Sequence, residues 1–387
     1  MHVYFIGIGG TAIGPLALIA SQAGYEVSGS DKQDSEYIKY LRSQGINDIH
    51  IGTDSAHISS LHQNTPVDMV VYSSAVPIEN PGHPEIKFAE NNGIKAVKRD
   101  GLLVKIIEDN HLKLIAVAGT HGKTTTTAML VWLFKQLGIP ISYSVGAKIS
   151  FGDMGHFDKT SEYFIYECDE FDRNFLAFHP YMSLITGISH DHHEQYPEIE
   201  DYRSAFRQFL SQSRQKVVWQ SDIDSSRFET DDTYTVADKT EYFEEALNML
   251  SLPGEVNRFD ALQTLTATQE LTGEPPKKLA KLMNDFPGVS RRFEKIIDNL
   301  YSDYAHTIEK IKGCLQLARE VSDSVVIVYE PLTNRRQHYI RGEYRNLFQG
   351  IKKLYWVPSY LAREDPVQKI ISPQEFINDI EMPADKQ

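Results

Sequence analysis

One stretch constrains this chain more than any other: AVAGTHGKTTTTAML, residues 116–130. A β-rich apolar run enters Gly119-x-x-Gly122-Lys123-Thr124 and leaves as a helical period. In that layout backbone amides wrap phosphates, a lysine reaches the γ-phosphate and a hydroxyl binds a divalent cation. The loop residues Gly119, Thr120, His121, Gly122, Lys123, Thr124 and Thr125 are therefore the candidate phosphate seat. The first glycine of the full Walker pattern falls at Val117, so the strict form is not met. A decorative turn is the alternative, but Gly-Lys-Thr directly after an apolar strand is rarely incidental.

A second glycine loop opens the chain, FIGIGGTAIG at 5–14. Gly7, Gly9 and Gly10 permit a tight turn and close backbone approach, and the helix that follows points unpaired N–H groups at a phosphate. Ala12 stands where the usual spacing has a third glycine, and Asp31 closes the second strand within reach of a ribose hydroxyl. On these residues alone a redox dinucleotide, another phosphate-bearing ligand and a purely geometric turn all remain open.

Apolar runs and helical periods alternate from the start, HVYFIGI, GPLALIASQAG, YEVSGSD, YIKYLRSQG, MVVYSSA, which is the order of a parallel βαβ sheet. The fold class is α/β with three domains. Breaker-rich PIENPGHP and the PP and FPG turns place boundaries that give 1–100, 101–286 and 287–387. A chain of 387 residues with 41% apolar content can fill such cores. Its net charge of −14 argues against a general nucleic-acid or membrane-surface binder and leaves small molecules as the expected partners. Two cysteines, Cys168 and Cys314, are too few for a disulfide framework. No apolar run approaches the roughly 20 residues of a membrane helix, and no secretory signal opens the chain, so a cytoplasmic location is expected.

Three polar clusters carry further chemistry. YECDEFD at 166–172 crowds Glu167, Asp169, Glu170 and Asp172 at a strand end, where a magnesium ion or plain solvation would relieve the repulsion. SHDHHEQYP at 189–197 offers His190, Asp191, His192, His193 and Glu194, whose spacing matches no closed zinc site and leaves a solvated loop or a nucleotide-associated magnesium site. PGVSRRF at 287–293 places Arg291 and Arg292 in a chain short of positive charge, as a phosphate contact or a surface pair.

Taken together, GIGGTAIG, SSAVPIENP at 73–81, GTHGKTTTT, ECDEFD, HDHHE, GEVNRFDAL at 254–262, GVSRRFE and SDYAH at 302–306 resemble the Mur ligase family in family order over nearly the whole chain. That resemblance implies a Rossmann-like N-terminal domain for a UDP-sugar, a central P-loop domain for ATP and a shortened Rossmann-like C-terminal domain for the amino acid. It places Gly9, Gly10, Asp31, Ser73 and Ser74 at the UDP-sugar and His306 on the amino-acid side. It puts Lys123 on the β/γ-phosphates, and Thr124, Glu167 and His192 on Mg²⁺. Asn257 becomes the adenine contact, and Arg292 and Asp303 become interdomain nucleotide contacts. Lys123, Glu167, His192 and Arg292 are the catalytic set.

The implied activity is an ATP-dependent amide ligase of peptidoglycan synthesis, most like the members that add L-alanine to UDP-N-acetylmuramate. Such an enzyme converts a carboxylate into an acyl phosphate, which an amine then attacks while water is kept out. The implied oligomeric state is a monomer or homodimer. The chain also departs from the pattern. The segment between HDHHE and GEVNRF is short, Thr307 and Ile308 replace the usual His-Pro, and VYEPLTNRRQ at 328–337 reads closer to members that attach a recycled tripeptide. The helix after His192 carries Arg203 and Arg207 but no lysine before Lys216, so no carbamylated lysine is expected. A degenerate nucleotide-binding homologue and an NAD-dependent oxidoreductase are the remaining alternatives.

Overall fold

The structure, a computed structural model, describes residues 1–192, 195–361, 364 and 367–381. Each short apolar run of the N-terminal segment becomes a parallel strand: β1 His2–Ile6, β2 Glu26–Asp31, β3 Ile49–Ile51, β4 Met69–Tyr72 and β5 Lys95–Lys98. Their order is β3-β2-β1-β4-β5. The strand order therefore reverses between β1 and β4, and the loops leaving those two strands flank a crevice at their carboxyl ends. Gly7–Ala12 forms one lip and Ser73–Ser74 the other.

The next sheet contains β6 Lys113–Ala118, β7 Ile141–Ser144, β8 Gly155–His156, β9 Tyr163–Glu167, β10 Met182–Ile185, β11 Gln215–Val218 and β12 Tyr234–Val236. Its order is β12-β11-β10-β6-β9-β7-β8, parallel except for β7–β8. Strand β6 runs between β9 and β10, so the segments leaving those neighbours converge on the loop that leaves β6. The helix Arg99–Asp109 follows β5 directly, and its Leu102, Leu103 and Ile106 join Val3 and Phe5 of β1 and Leu114 and Ala116 of β6 in one core.

Close packing of the first helix, Ile13–Gln22, depends on Gly14 rather than on a glycine at position 12. A Cβ on Gly14 would lie 2.2 Å from the Tyr37 ring and 2.9 Å from the Ile8 carbonyl oxygen. Gly14→Ala is expected to lower stability by about 1–3 kcal/mol, the usual cost of overpacking, read as a fall in Tm. An unchanged Tm would show that the ring and the loop yield freely.

The chain divides into two compact units, Met1–Leu250 with Asp260–Val289, and Ser251–Phe259 with Ser290–Gln387. Both large sheets belong to the first. In the second, β13 Glu294–Ile297 and β14 Leu300–Ser302 form a hairpin, and β15 Val326–Tyr329 pairs in parallel with β16 Lys353–Trp356. Its core gathers Ile311, Leu315, Tyr344, Phe348, Leu354 and Trp356. The PP pair, expected as a turn, instead starts the helix Pro276–Met283. Proline suits the first helical position because its missing N–H would have no intrahelical partner there. Among the described residues no helix is long and apolar enough to cross a membrane.

Candidate active site

The loop after β6 is cornered by Gly119 at φ +140° and Gly122 at φ +78°. Neither position has room for a side chain: a Cβ on Gly119 would meet Thr186 Oγ1 at 2.5 Å, and one on Gly122 would meet Asp260 Oδ1 at 2.6 Å. Gly122 is the N-cap of the helix Lys123–Gln136 and itself brings no side chain to cap it. The helix's first-turn amides and its dipole form an anion seat. The loop is held from behind, since Thr120 N–H donates to the Gly187 carbonyl at 2.8 Å and Thr120 Oγ1 donates to that of Ser189 at 2.8 Å. Tyr202 OH lies 2.9 Å from the same hydroxyl. Thr125 sits half-buried in the first turn, and the His121 carbonyl accepts from Thr186 Oγ1.

The acidic segment leaving β9 supplies the ions. Glu167 accepts from Thr124 Oγ1 at 2.8 Å through one oxygen and from Gly146 N–H at 2.8 Å through the other. Glu170 is 1% exposed, and its two oxygens accept from Lys123 Nζ at 2.9 and 2.7 Å. Lys123 also donates to the Gly119 carbonyl. His192 Nε2 lies 3.7 Å from Glu170 Oε1, and Tyr202 OH reaches the same oxygen at 3.4 Å. Burial alone would raise the pKa of Glu170, but the Lys123 ammonium and His192 outweigh it and hold the carboxyl down at about 2. Burial likewise disfavours the charged Lys123, and the surrounding carboxylates reverse this and raise its pKa.

The same segment turns its other carboxylates the opposite way. Asp169 accepts from Arg99 at 2.9 Å, and Asp172 pairs with Lys98; burial would raise the Asp172 carboxyl, but the Lys98 ammonium and the nearby Ser74 hydroxyl hold it below the usual carboxylate range. Asp172 and Arg173 both adopt left-handed backbone, φ 54° and 56°, and His192 does so at φ 53°. Each costs about 1–2 kcal/mol for a non-glycine residue, which the surrounding ion pairs and packing must offset. Six residues thus run from the phosphate loop to the crevice of the first sheet, a span of at most about 18 Å.

At that crevice Gly9 N–H donates to Asp31 Oδ2 at 2.8 Å, and Asp31 Oδ1 accepts from Gln33 N–H at 3.3 Å. Asp31 therefore braces the glycine loop itself. Gly10 N–H closes the turn on the Gly7 carbonyl at 3.0 Å, and the Ser30 carbonyl accepts from Gly7 and Ile8 at 2.8 and 3.0 Å. Ser73 and Ser74 precede the short helix Ala75–Glu79 on the opposite lip.

Four expected residues belong to the second unit. Asn257 donates to the Pro253 carbonyl at 2.8 Å, one turn back in its own segment. Arg292, Asp303 and His306 come together around Tyr304. The Arg292 guanidinium lies 5.7 Å from the Tyr304 ring centre, and His306 Nδ1 lies 2.7 Å from the Tyr304 carbonyl oxygen. Asp303 accepts from Phe293 N–H at 2.7 Å, while burial raises its pKa.

The histidine run does not converge. His190 Nε2 is 2.7 Å from the Tyr196 carbonyl oxygen, whereas His192 faces Glu170. Among the described residues no three His, Cys, Asp or Glu side chains are grouped to hold a metal; His193 and Glu194 lie outside those residues. The helix Ile199–Ser211 sends Arg207 to the Ser226 carbonyl at 3.1 Å, and Lys216 on β11 bonds Thr233 Oγ1 at 2.6 Å. Reading the sequence alone missed Lys98, Arg99 and Tyr202. A lysine–arginine pair ending an apolar strand was the available signal for the first two.

Comparison with known proteins agrees with this architecture. Residues 2–111 match the family described as Mur ligase family, catalytic domain, and residues 117–249 match the Mur ligase middle domain. The UDP-N-acetylmuramate--L-alanine ligase of Nocardioides sp. is 32% identical, over 94% of this chain and 82% of the relative. Its counterpart from Carboxydothermus hydrogenoformans is 30% identical, over 95% and 84%. Among solved structures, UDP-N-acetylmuramate-alanine ligase from Thermotoga maritima superposes with a TM-score of 0.75 at 26% identity, covering 93% of this chain and 86% of that one.

Proposed function

The chain belongs to the Mur ligase family, and from that premise we propose that it is an ATP-dependent ligase joining L-alanine to UDP-N-acetylmuramate in peptidoglycan precursor synthesis. One observation carries the reading: a single acidic segment bonds Lys123 and Thr124 of the phosphate loop and also Lys98 at the end of β5, in register with Tyr72 just before Ser73 and Ser74 of the first-sheet crevice. A ligase that phosphorylates a sugar-borne carboxylate needs its two seats this close.

Lys123 carries out the first exchange. It gives up Glu170 for the β/γ-phosphates of ATP and stays beside the phosphoryl group as charge moves toward the carboxylate. Thr124 Oγ1 and the Glu167 carboxylate are hard oxygens 2.8 Å apart at the phosphate loop, a donor set that suits magnesium. Thr124, Glu167 and His192 would hold it, and when bound it would neutralise phosphate charge. The first-turn amides orient the phosphates, and Gly9, Gly10, Asp31, Ser73 and Ser74 seat the UDP-sugar. The resulting acyl phosphate is attacked by the amine of alanine, and phosphate leaves.

We assign Asn257, Arg292 and Asp303 to the nucleotide and His306 to the amino-acid side, as the second unit's share of the work. The three segments 1–100, 101–286 and 287–387 serve as UDP-sugar, ATP and amino-acid domains, and the cytoplasm is the compartment where these substrates meet.

The test supplies UDP-N-acetylmuramate and Mg-ATP with L-alanine, glycine, L-serine or the stem tripeptide and measures phosphate release. L-Alanine is expected to support the fastest turnover. Release with the tripeptide alone would move the protein to the recycling branch, and release with none would make it a degenerate homologue.

A further inference from the structure

Building on the ligase reading, we infer that Lys98 is the cation that receives the carboxylate of the sugar-nucleotide substrate, and that Asp172 holds its place until the substrate arrives. The reaction brings a carboxylate against a γ-phosphate, so cations are needed on both sides. Lys123 serves the phosphate side. On the sugar side Gly9, Gly10, Asp31, Ser73 and Ser74 supply no positive charge.

Lys98 stands where one is needed. It is the last residue of β5, in register with Tyr72, the residue before Ser73 and Ser74. Its side chain is 42% exposed and paired with Asp172. Asp172 lies five residues from Glu167 on the segment that touches the phosphate loop. The neighbouring Arg99 is not available for the same task, because its side chain is more deeply buried and is held by Asp169 at 2.9 Å and Asp100 at 3.4 Å. Asp172 thus presents to Lys98 the chemical group that the substrate would bring. The arrangement parallels the pairing of Glu170 with Lys123, in which a carboxylate occupies the seat of a phosphate.

Equilibrium binding to the full chain separates this role from a pin that merely fixes the loop. The two probes are UDP-N-acetylmuramate and UDP-N-acetylglucosamine, which differ in the lactyl carboxylate. Lys98→Met is expected to weaken UDP-N-acetylmuramate about tenfold or more and to leave UDP-N-acetylglucosamine within about twofold. Lys98→Arg keeps the charge and should retain most of the affinity. Asp172→Asn, which asparagine's tolerance of left-handed backbone permits, removes the competitor and should tighten UDP-N-acetylmuramate about threefold. If Lys98→Met weakened both sugars alike or neither, or if Asp172→Asn weakened binding as Lys98→Met does, the pair would only pin the loop and the inference would fall. A wild-type protein that bound neither sugar would instead sink the ligase reading and this inference with it.

Discussion

Lys123→Met is expected to abolish phosphate release, lowering kcat by about a thousandfold or more, because its ammonium is the charged contact that the loop itself makes with the γ-phosphate as charge moves off it. The same change should also damage the fold. The Lys123 side chain is 16% exposed and that of Glu170 2%, so the substitution leaves an ionised carboxylate buried opposite a methyl group. Breaking a buried pair from one side costs about 3–5 kcal/mol, visible as a lower Tm. Activity and stability then have to be separated. Adding Glu170→Gln removes the stranded charge, so the double variant should recover most of the lost Tm and none of the phosphate release. A single variant that kept release within tenfold of wild type would take Lys123 out of the mechanism. A double variant that remained as unstable as the single would show that Lys123 contributes through packing of its alkyl chain.

The residues that were legible in the sequence are those whose chemistry is local. Gly119, Gly122, Lys123 and Thr124 announce a phosphate seat because the turn, the amides and the charge all lie within six residues. The strand-and-helix alternation that makes both large sheets parallel was legible for the same reason. What escaped depends on sheet order. Nothing in ECDEFD says that Glu167 and Glu170 face the phosphate loop while Asp169 and Asp172 face Arg99 and Lys98. That division follows from β6 pairing with β9, and from the helix after β5 packing into the same core. Gly14 shows the same limit: counting from the fingerprint pointed to position 12, while close packing fell two residues later, where Tyr37 crosses the helix. In the second unit, Asp303 and His306 flank Tyr304 in sequence, but only the β13–β14 hairpin, turning at Asn299 with φ 63°, brings Arg292 over the Tyr304 ring.

Glu167→Gln should separate the charge of the acidic segment from its architecture. Glutamine keeps the size of Glu167 and can still accept from Gly146 N–H through its oxygen, with its amide turned to the Thr124 hydroxyl. The fold therefore has little to lose, and Tm should move by only a few degrees. The negative charge is gone, and a divalent cation loses its strongest proposed protein ligand. We expect kcat to fall about a hundredfold or more and half-saturating magnesium to rise about tenfold or more. Asp169→Asn is the control within the same run. Asp169 faces Arg99, a guanidinium only 18% exposed, so neutralising it should lower Tm and leave the magnesium requirement unchanged. The two variants each remove one charge from residues two apart in sequence. If both shifted the magnesium requirement equally, the segment would be acting as a diffuse negative patch, and Glu167 would lose its place as a magnesium ligand.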